Sequence, residues 1–144
     1  MSKAKAIGTR AETAVRNYLL SQGYSELDAH RNVLTGSEDQ GDVWLRHRDL
    51  GLIVFEIKGG KAAKEASYQQ VQKWFKEATK ERDNASGSFG FLVTQRAGVG
   101  YPRAGEWWAY AELGDLARLR YGNGDADSTL VRITLADLVK LVNG

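Results

Sequence analysis

The run 52-LIVFEIK-58 limits the fold more than any other part of the chain. Its apolar residues are nearly continuous, the pattern of a central strand covered on both faces. Two charged residues, Glu56 and Lys58, stand near its end, and Gly59 and Gly60 follow at once. Upstream, 42-DVWLR-46 reads as a second strand, and the short connection 47-HRDLG-51 makes the two an antiparallel hairpin. A strand buried on both faces needs helices above and below it.

The sequence supplies them. Ile7, Ala11, Ala14, Val15, Tyr18 and Leu19 recur at helical spacing, predicting an amphipathic helix over residues 5–21 that ends near Gly23. Tyr68, Val71, Trp74, Phe75 and Ala78 form the apolar stripe of a second helix. A strand is expected around Leu27 to Val33, followed by the polar loop 35-TGSEDQG-41. Further strands read at 88-SFGFLVT-94 and 106-EWWAYAEL-113, with the Gly-rich loop 97-AGVGYPRAG-105 between them. In the tail, 129-TLVRI-133 is a short strand and 134-TLADLVKLV-142 a closing helix, with Thr134 and Asp137 as a capping box. The order is α-β-β-β-α-β-β plus a tail. That is an α/β fold with a mixed sheet, read as one domain over 1–144 with a core of about 5–113 and an extension of about 114–144. Residues 113-LGDLARLRYGNGDADS-128 have no clear assignment.

Composition excludes several classes. With no cysteine, disulfides and thiolate metal sites are ruled out. His30 and His47 are too few and too separated for a zinc site, and read as ordinary surface or strand residues. No run approaches a membrane span and the start lacks a signal peptide's apolar segment, so a cytoplasmic, intracellular protein without a membrane partner is expected. The net charge of +2 is small, but basic residues cluster. Lys3, Lys5, Arg10 and Arg16 open the chain, and Lys61, Lys64, Lys73, Lys76, Lys80 and Arg82 follow the apolar strand. These suit a phosphate-neutralising face or, equally, solvated helix surfaces.

Strand alternation places Glu56 and Lys58 on one face. A turn centred on Asp49 sets Asp42 opposite Glu56 and Trp44 opposite Val54. Directly opposed residues hold their Cβ atoms about 4.5–5.5 Å apart, so the two carboxylates repel unless a cation lies between them. A hard divalent cation would serve, with the backbone carbonyl of Ile57 as a further ligand. Lys58 would then hold a phosphate or orient a water. The same residues also read as a strand-end ion pair beside a solvent-facing Asp42.

Asp42 followed by 56-EIK-58 on the next strand resembles the PD-(D/E)xK nuclease superfamily. Within it the chain looks most like the archaeal-type Holliday junction resolvases, which also occur in phage-like versions. The likeness runs from about Ile7 to Tyr110 and begins with 8-GTRAE-12, similar to an opening Gly-x-x-x-Glu. Arg31 precedes the polar loop, Gln70 matches a Gln on the following helix, and Trp107 matches a Trp on a late strand. Gly41 stands where the family has Pro, and Glu38 and Asp39 add acid to the loop.

The resemblance implies a restriction-endonuclease-like fold in which Asp42 and Glu56 bind Mg²⁺, with Mn²⁺ able to substitute, and Lys58 assists catalysis. Glu12 would complete the acidic cluster from the first helix, although a surface helix Glu is its bland reading. Arg31 and Ser37 would approach the DNA backbone, joined by Gln70 and by Arg10 and Lys61 of the basic clusters. Gln69 or Gln72 could equally face the site. The glycines after Lys58 would let a DNA backbone come close.

The implied protein is an endonuclease making paired symmetric nicks in branched double-stranded DNA. It would act as a homodimer without a small-molecule cofactor, in a bacterial host if phage-encoded. Another nuclease of the superfamily (restriction, repair or flap-cleaving), a non-catalytic DNA-binding protein on the same scaffold, and an interaction module using the late tryptophans are the alternatives. Trp74, Phe75, Trp107 and Trp108 read first as core.

Overall fold

The computed structural model describes residues 2–32 and 41–144. The chain runs α1 (Lys3–Ser21), β1 (Ala29–Asn32), β2 (Gly41–His47), β3 (Gly51–Lys58), α2 (Gly60–Lys64), α3 (Tyr68–Asn84), β4 (Phe89–Thr94), a 3₁₀ turn (Tyr101–Glu106), β5 (Trp108–Glu112), α4 (Leu113–Tyr121), β6 (Leu130–Thr134) and α5 (Leu135–Asn143). The strands form one open mixed sheet in chain order, antiparallel throughout except for the parallel pair β3–β4. A parallel pair needs a crossover, and α2 with α3 provides it. Among the described residues no helix is long and apolar enough to cross a membrane.

Alternation along the strands divides the interior into two layers. Val43 and Leu45 of β2, Ile53, Phe55 and Ile57 of β3, and Phe91 and Val93 of β4 face α1 and α5. There they meet Ala11, Val15, Leu19, Leu135 and Leu138, all fully buried. The even-numbered neighbours face α3, where Leu92 and Tyr110 pack against Val71, Phe75 and Ala78. All residues of β3 from Ile53 to Lys58 are buried, as expected of a strand covered on both sides.

The hairpin forms in the expected register, with Asp42 opposite Glu56 and Trp44 opposite Val54. Its turn is closed by His47, whose Nδ1 accepts from the N–H groups of Asp49 and Leu50 at 3.1 and 3.2 Å. Gly51 ends the turn at φ +82°, a left-handed conformation that glycine adopts without strain. Ser2, Ser67 and Thr134 cap α1, α3 and α5 by accepting from Lys5, Gln70 and Asp137 N–H.

The tail is part of the core and not an appendage to it. β6 extends the sheet beside β5, and Leu135, Leu138, Val139 and Val142 of α5 are buried. The unassigned segment holds α4, which packs against α5 and β5. It is short, and Gly114 stands in its first turn, where the chain of Asp125–Asp127 lies against the backbone. Tyr68, counted in the apolar stripe of α3, is 63% exposed, while Trp107 is fully buried and donates its Nε1–H to the Val99 carbonyl at 3.0 Å.

Gly90 sets the height of α3 above the sheet, because a Cβ there would lie 2.8 Å from the Ala78 carbonyl oxygen and 2.9 Å from Arg82 Cβ. Gly90→Ala is therefore expected to lift α3 and lose roughly 1–3 kcal/mol. Thermal unfolding would register this as a fall of roughly 4–12 °C in Tm; an unchanged Tm would show that α3 is not seated on Gly90.

Candidate active site

The face beneath α3 gathers an acidic cluster around one ammonium. Asp42 and Glu56 oppose each other across β2 and β3, exposed by only 2% and 1%. Lys58, two residues on, brings Nζ within 3.3 Å of Glu56 Oε1 and 3.1 Å of Glu77 Oε2. It also lies 5.6 Å from the centre of the Trp74 ring. Glu77, Glu81 and Trp74 all come from α3.

Several polar atoms here are buried with no hydrogen-bond partner: Asp42 Oδ2, Glu56 Oε1, Glu77 Oε2 and the indole nitrogen of Trp44. Lys58 is near two of these oxygens, yet neither contact has hydrogen-bond angles. Burying a polar atom in this way is expensive, on the order of 1–3 kcal/mol each. The protonation state of the cluster reflects it. Burial, then hydrogen bonding to Glu56 and the charge of Glu56, push the Asp42 carboxyl up to about 8. Burial also raises Glu56, against the opposing pull of Asp42 and Lys58. Glu81 is raised by burial first and then by Asp42. At neutral pH Asp42 therefore holds a proton and shares it toward Glu56, which stays paired with Lys58.

Such a pair suits a hard divalent cation. Mg²⁺ is commonly held by one or two carboxylates, with waters and phosphate oxygens completing its shell. Asp42 Oδ2, which has no partner among the described residues, and Glu56 Oε1, which has the Lys58 ion pair but no hydrogen bond, are the donors it would take. Among the described residues no group of three or more His, Asp or Glu side chains is arranged to hold a metal ion. The protein's contribution is thus the facing pair, and Lys58 is the cation that now sits beside it.

Glu12 lies elsewhere. Its Oε1 receives Arg31 Nε and Nη2 at 3.0 Å each, and Arg31 is the register partner of Val43, on the α1 face of the sheet. The structure brings Asp42, Glu56 and Lys58 together and does not bring Glu12 to them. Burial raises the Glu12 carboxyl despite the hydrogen bond and charge of Arg31. Ile57 lies between Gly41 and Val93, so its carbonyl is directed in the plane of the sheet toward a neighbouring strand.

The other expected DNA contacts are scattered. Arg10 stacks on Tyr101, 4.2 Å from the ring centre, beside a cleft of about 520 Å³ between α1 and the 3₁₀ turn. Lys61 is exposed and pairs loosely with Glu65 at 3.9 Å. Gln70, in the first turn of α3, makes no side-chain hydrogen bond to the cluster among the described residues. Ser37 lies outside the described residues.

The glycines that follow Lys58 have a packing role within the chain. A Cβ on Gly59 would meet Ala11 Cβ at 2.7 Å, and one on Gly60, at φ +81°, would meet Ile7 Cγ2 at 2.8 Å. They let α1 close over the end of β3.

The sequence reading missed Glu77, Glu81 and Trp44. A signal existed: Gln70, Trp74, Glu77 and Glu81 form a helical stripe flanking Val71, Phe75 and Ala78. Charges beside an apolar stripe ordinarily read as solvated, and only the carboxylates of the hairpin make this stripe a wall of the site. Comparison with models of known protein families, with curated proteins and with solved structures finds no match to this chain.

Asp42 keeps its proton to about pH 8 when folded but only to the ordinary value of 3.8 when unfolded, so folding takes up a proton in that window. Metal-free stability should therefore fall as pH rises from about 4 to about 8. Asp42→Asn should flatten that slope and melt higher than the wild type at the upper end, each kcal/mol being roughly 4 °C. A parallel decline in both proteins would remove Asp42 as the cause. By its position, Glu12→Gln should lower Tm through the loss of Arg31's partner while leaving Mg²⁺ affinity, read by calorimetry, within about twofold; a tenfold loss of affinity would bring Glu12 into the metal site.

Proposed function

We propose that the chain is a metal-dependent DNA endonuclease with a restriction-endonuclease-like fold, acting on branched DNA such as a four-way junction. The observation that carries this reading is the buried, facing pair Asp42–Glu56 with unpartnered oxygens and Lys58 on the same face. The order of helix, hairpin and crossover helix around that pair supports it, as does the resemblance of Asp42 and 56-EIK-58 to the PD-(D/E)xK pattern.

Bound Mg²⁺, or Mn²⁺ in its place, would supply charge neutralisation at the attacked phosphate and a more acidic water. The chain's own residues do the rest. Asp42 and Glu56 would hold the cation, and Asp42 would have to give up its proton to do so. Lys58 lies between Glu56 and Glu77, 5.6 Å from the centre of the Trp74 ring, and its ammonium would hold a phosphate oxygen or orient a water. Two symmetric nicks in a junction call for two such sites, which a two-fold dimer supplies.

A second reading has an observation of its own. The cluster neutralises itself, with a proton on Asp42 and Lys58 set on two carboxylates. That state suits a nuclease-like scaffold that binds DNA without cutting it.

A labelled four-way junction, a flap and a linear duplex, each incubated with Mg²⁺, separate these readings. Paired symmetric nicks confined to the junction are expected, abolished by EDTA and reduced at least about 100-fold in Asp42→Asn, Glu56→Gln and Lys58→Met. Preference for the flap or the duplex would retain the site and change the substrate. Binding without metal-dependent cleavage of any of the three would favour the scaffold reading.

A further inference from the structure

The carboxylates lie along one flank of α3, on β2 and β3. The opposite flank, over β5 and β6, holds a second arrangement that the cleavage chemistry does not use. Trp108 is half-buried, and two guanidiniums lie over its ring, Arg96 at 4.0 Å and Arg132 at 4.1 Å from the centre. They arrive from the strands on either side, Arg96 just past the end of β4 and Arg132 from within β6. Among the described residues neither forms an ion pair. Arg96 donates to the Glu106 carbonyl at 3.3 Å, but the Glu106 carboxylate is held by Arg103.

Two like charges on one indole repel each other, and stacking occupies only their flat faces. Arg96 commits only Nη1, to the Glu106 carbonyl, so the rest of its edge and that of Arg132 stay free among the described residues, and such an edge receives a phosphate by two hydrogen bonds at once. Adjoining them is a pocket of about 270 Å³ lined by Ala66, Tyr68, Val71, Tyr110, Leu130 and Arg132. Its walls are apolar and aromatic, and Tyr68 is left 63% exposed. Arg132 belongs to both the stacked pair and the pocket.

The pocket is also in line with the carboxylates. Asp42, Glu56, Leu92, Tyr110 and Arg132 are successive register partners across the sheet. Glu56 and Tyr110 are thus two strand spacings apart, about 10 Å.

We propose that this flank is a subsite for an unpaired stretch of a DNA strand, with phosphates on Arg96 and Arg132 and one base in the pocket between Tyr68 and Tyr110. The identity of the polymer rests on the nuclease reading. A duplex keeps its bases stacked inside and offers the pocket nothing, whereas an unpaired strand offers both a flat base and its phosphates. The substrate class follows: DNA with unpaired nucleotides beside the bond to be cut, as at a branch point or flap.

Fluorescence anisotropy in metal-free buffer tests this, with labelled oligothymidine of about 15 nucleotides, alone and annealed to its complement. The wild type should prefer the single strand. The double variant Arg96→Gln/Arg132→Gln should bind it at least about tenfold more weakly, and the slope of log K against log salt should shrink by about 1.4, or about 0.7 per phosphate. Arg96→Lys/Arg132→Lys should restore the slope but only part of the affinity, since lysine keeps the charge without the fork. Tyr68→Ala should weaken binding several-fold at an unchanged slope. Wild-type affinity in a Gln variant of normal Tm would overturn the proposal, and so would preference for the duplex. Junction cleavage assayed in parallel keeps the two readings apart. Cutting with no effect of the arginines defeats this inference alone, while arginine-dependent binding without cutting supports it and defeats the nuclease reading.

Discussion

The pairing of β2 with β3 in a single register is the constraint on which the rest of the structure turns. Side chains alternate along a strand, so a slip of one residue would exchange every face. Val43 and Leu45 would leave the layer under α1, and Asp42 would be driven in among Val15 and Leu19. Apolar burial on the α1 side forbids that exchange. The turn enforces the same register locally, through His47 closing on two N–H groups and Gly51 in a conformation open to glycine.

With the register set, the sheet separates the charged chemistry by parity. On the α1 side, Glu12 and Arg31 form an ion pair that nearly closes on itself. On the α3 side, Glu56 and Glu77 hold the ammonium of Lys58, and Asp42 and Glu81 lie beside them. Acid in that excess cannot all be ionised in a buried space, which is why Asp42 retains a proton far above the ordinary range. The same imbalance that burdens the fold is the basis of the proposal that a cation binds there. Helix α3 sits between this cluster and the arginine-flanked Trp108, so one helix divides the face into an acidic flank and a basic, aromatic one.

Much of this was legible in the chain because it depends on short-range pattern. The continuous apolar run of 52–58, the helical stripe of 5–21 and the hairpin length are local facts, and they lead directly to Asp42 opposite Glu56. The Thr134 cap, which accepts from the Asp137 N–H, is local as well. α4 is not legible because it is only nine residues long and begins with Leu113 and Gly114, and the tail's place in the core is not legible because the pairing of β6 with β5 involves residues far from the hairpin.

The sequence by itself determined which residues of each strand share a face, since alternation and the turn leave no freedom there. Only the tertiary structure decided what covers each face. It placed Glu12 under α1 with Arg31, away from the carboxylates it was expected to join. It brought Glu77 and Glu81 down from α3 onto Asp42 and Lys58, and it converged Arg96 and Arg132 on Trp108 from two strands. Those outcomes follow from where helices settle on a sheet, at points such as Gly90 and the Gly59–Gly60 pair where backbones touch, and helix placement is set by packing between distant segments.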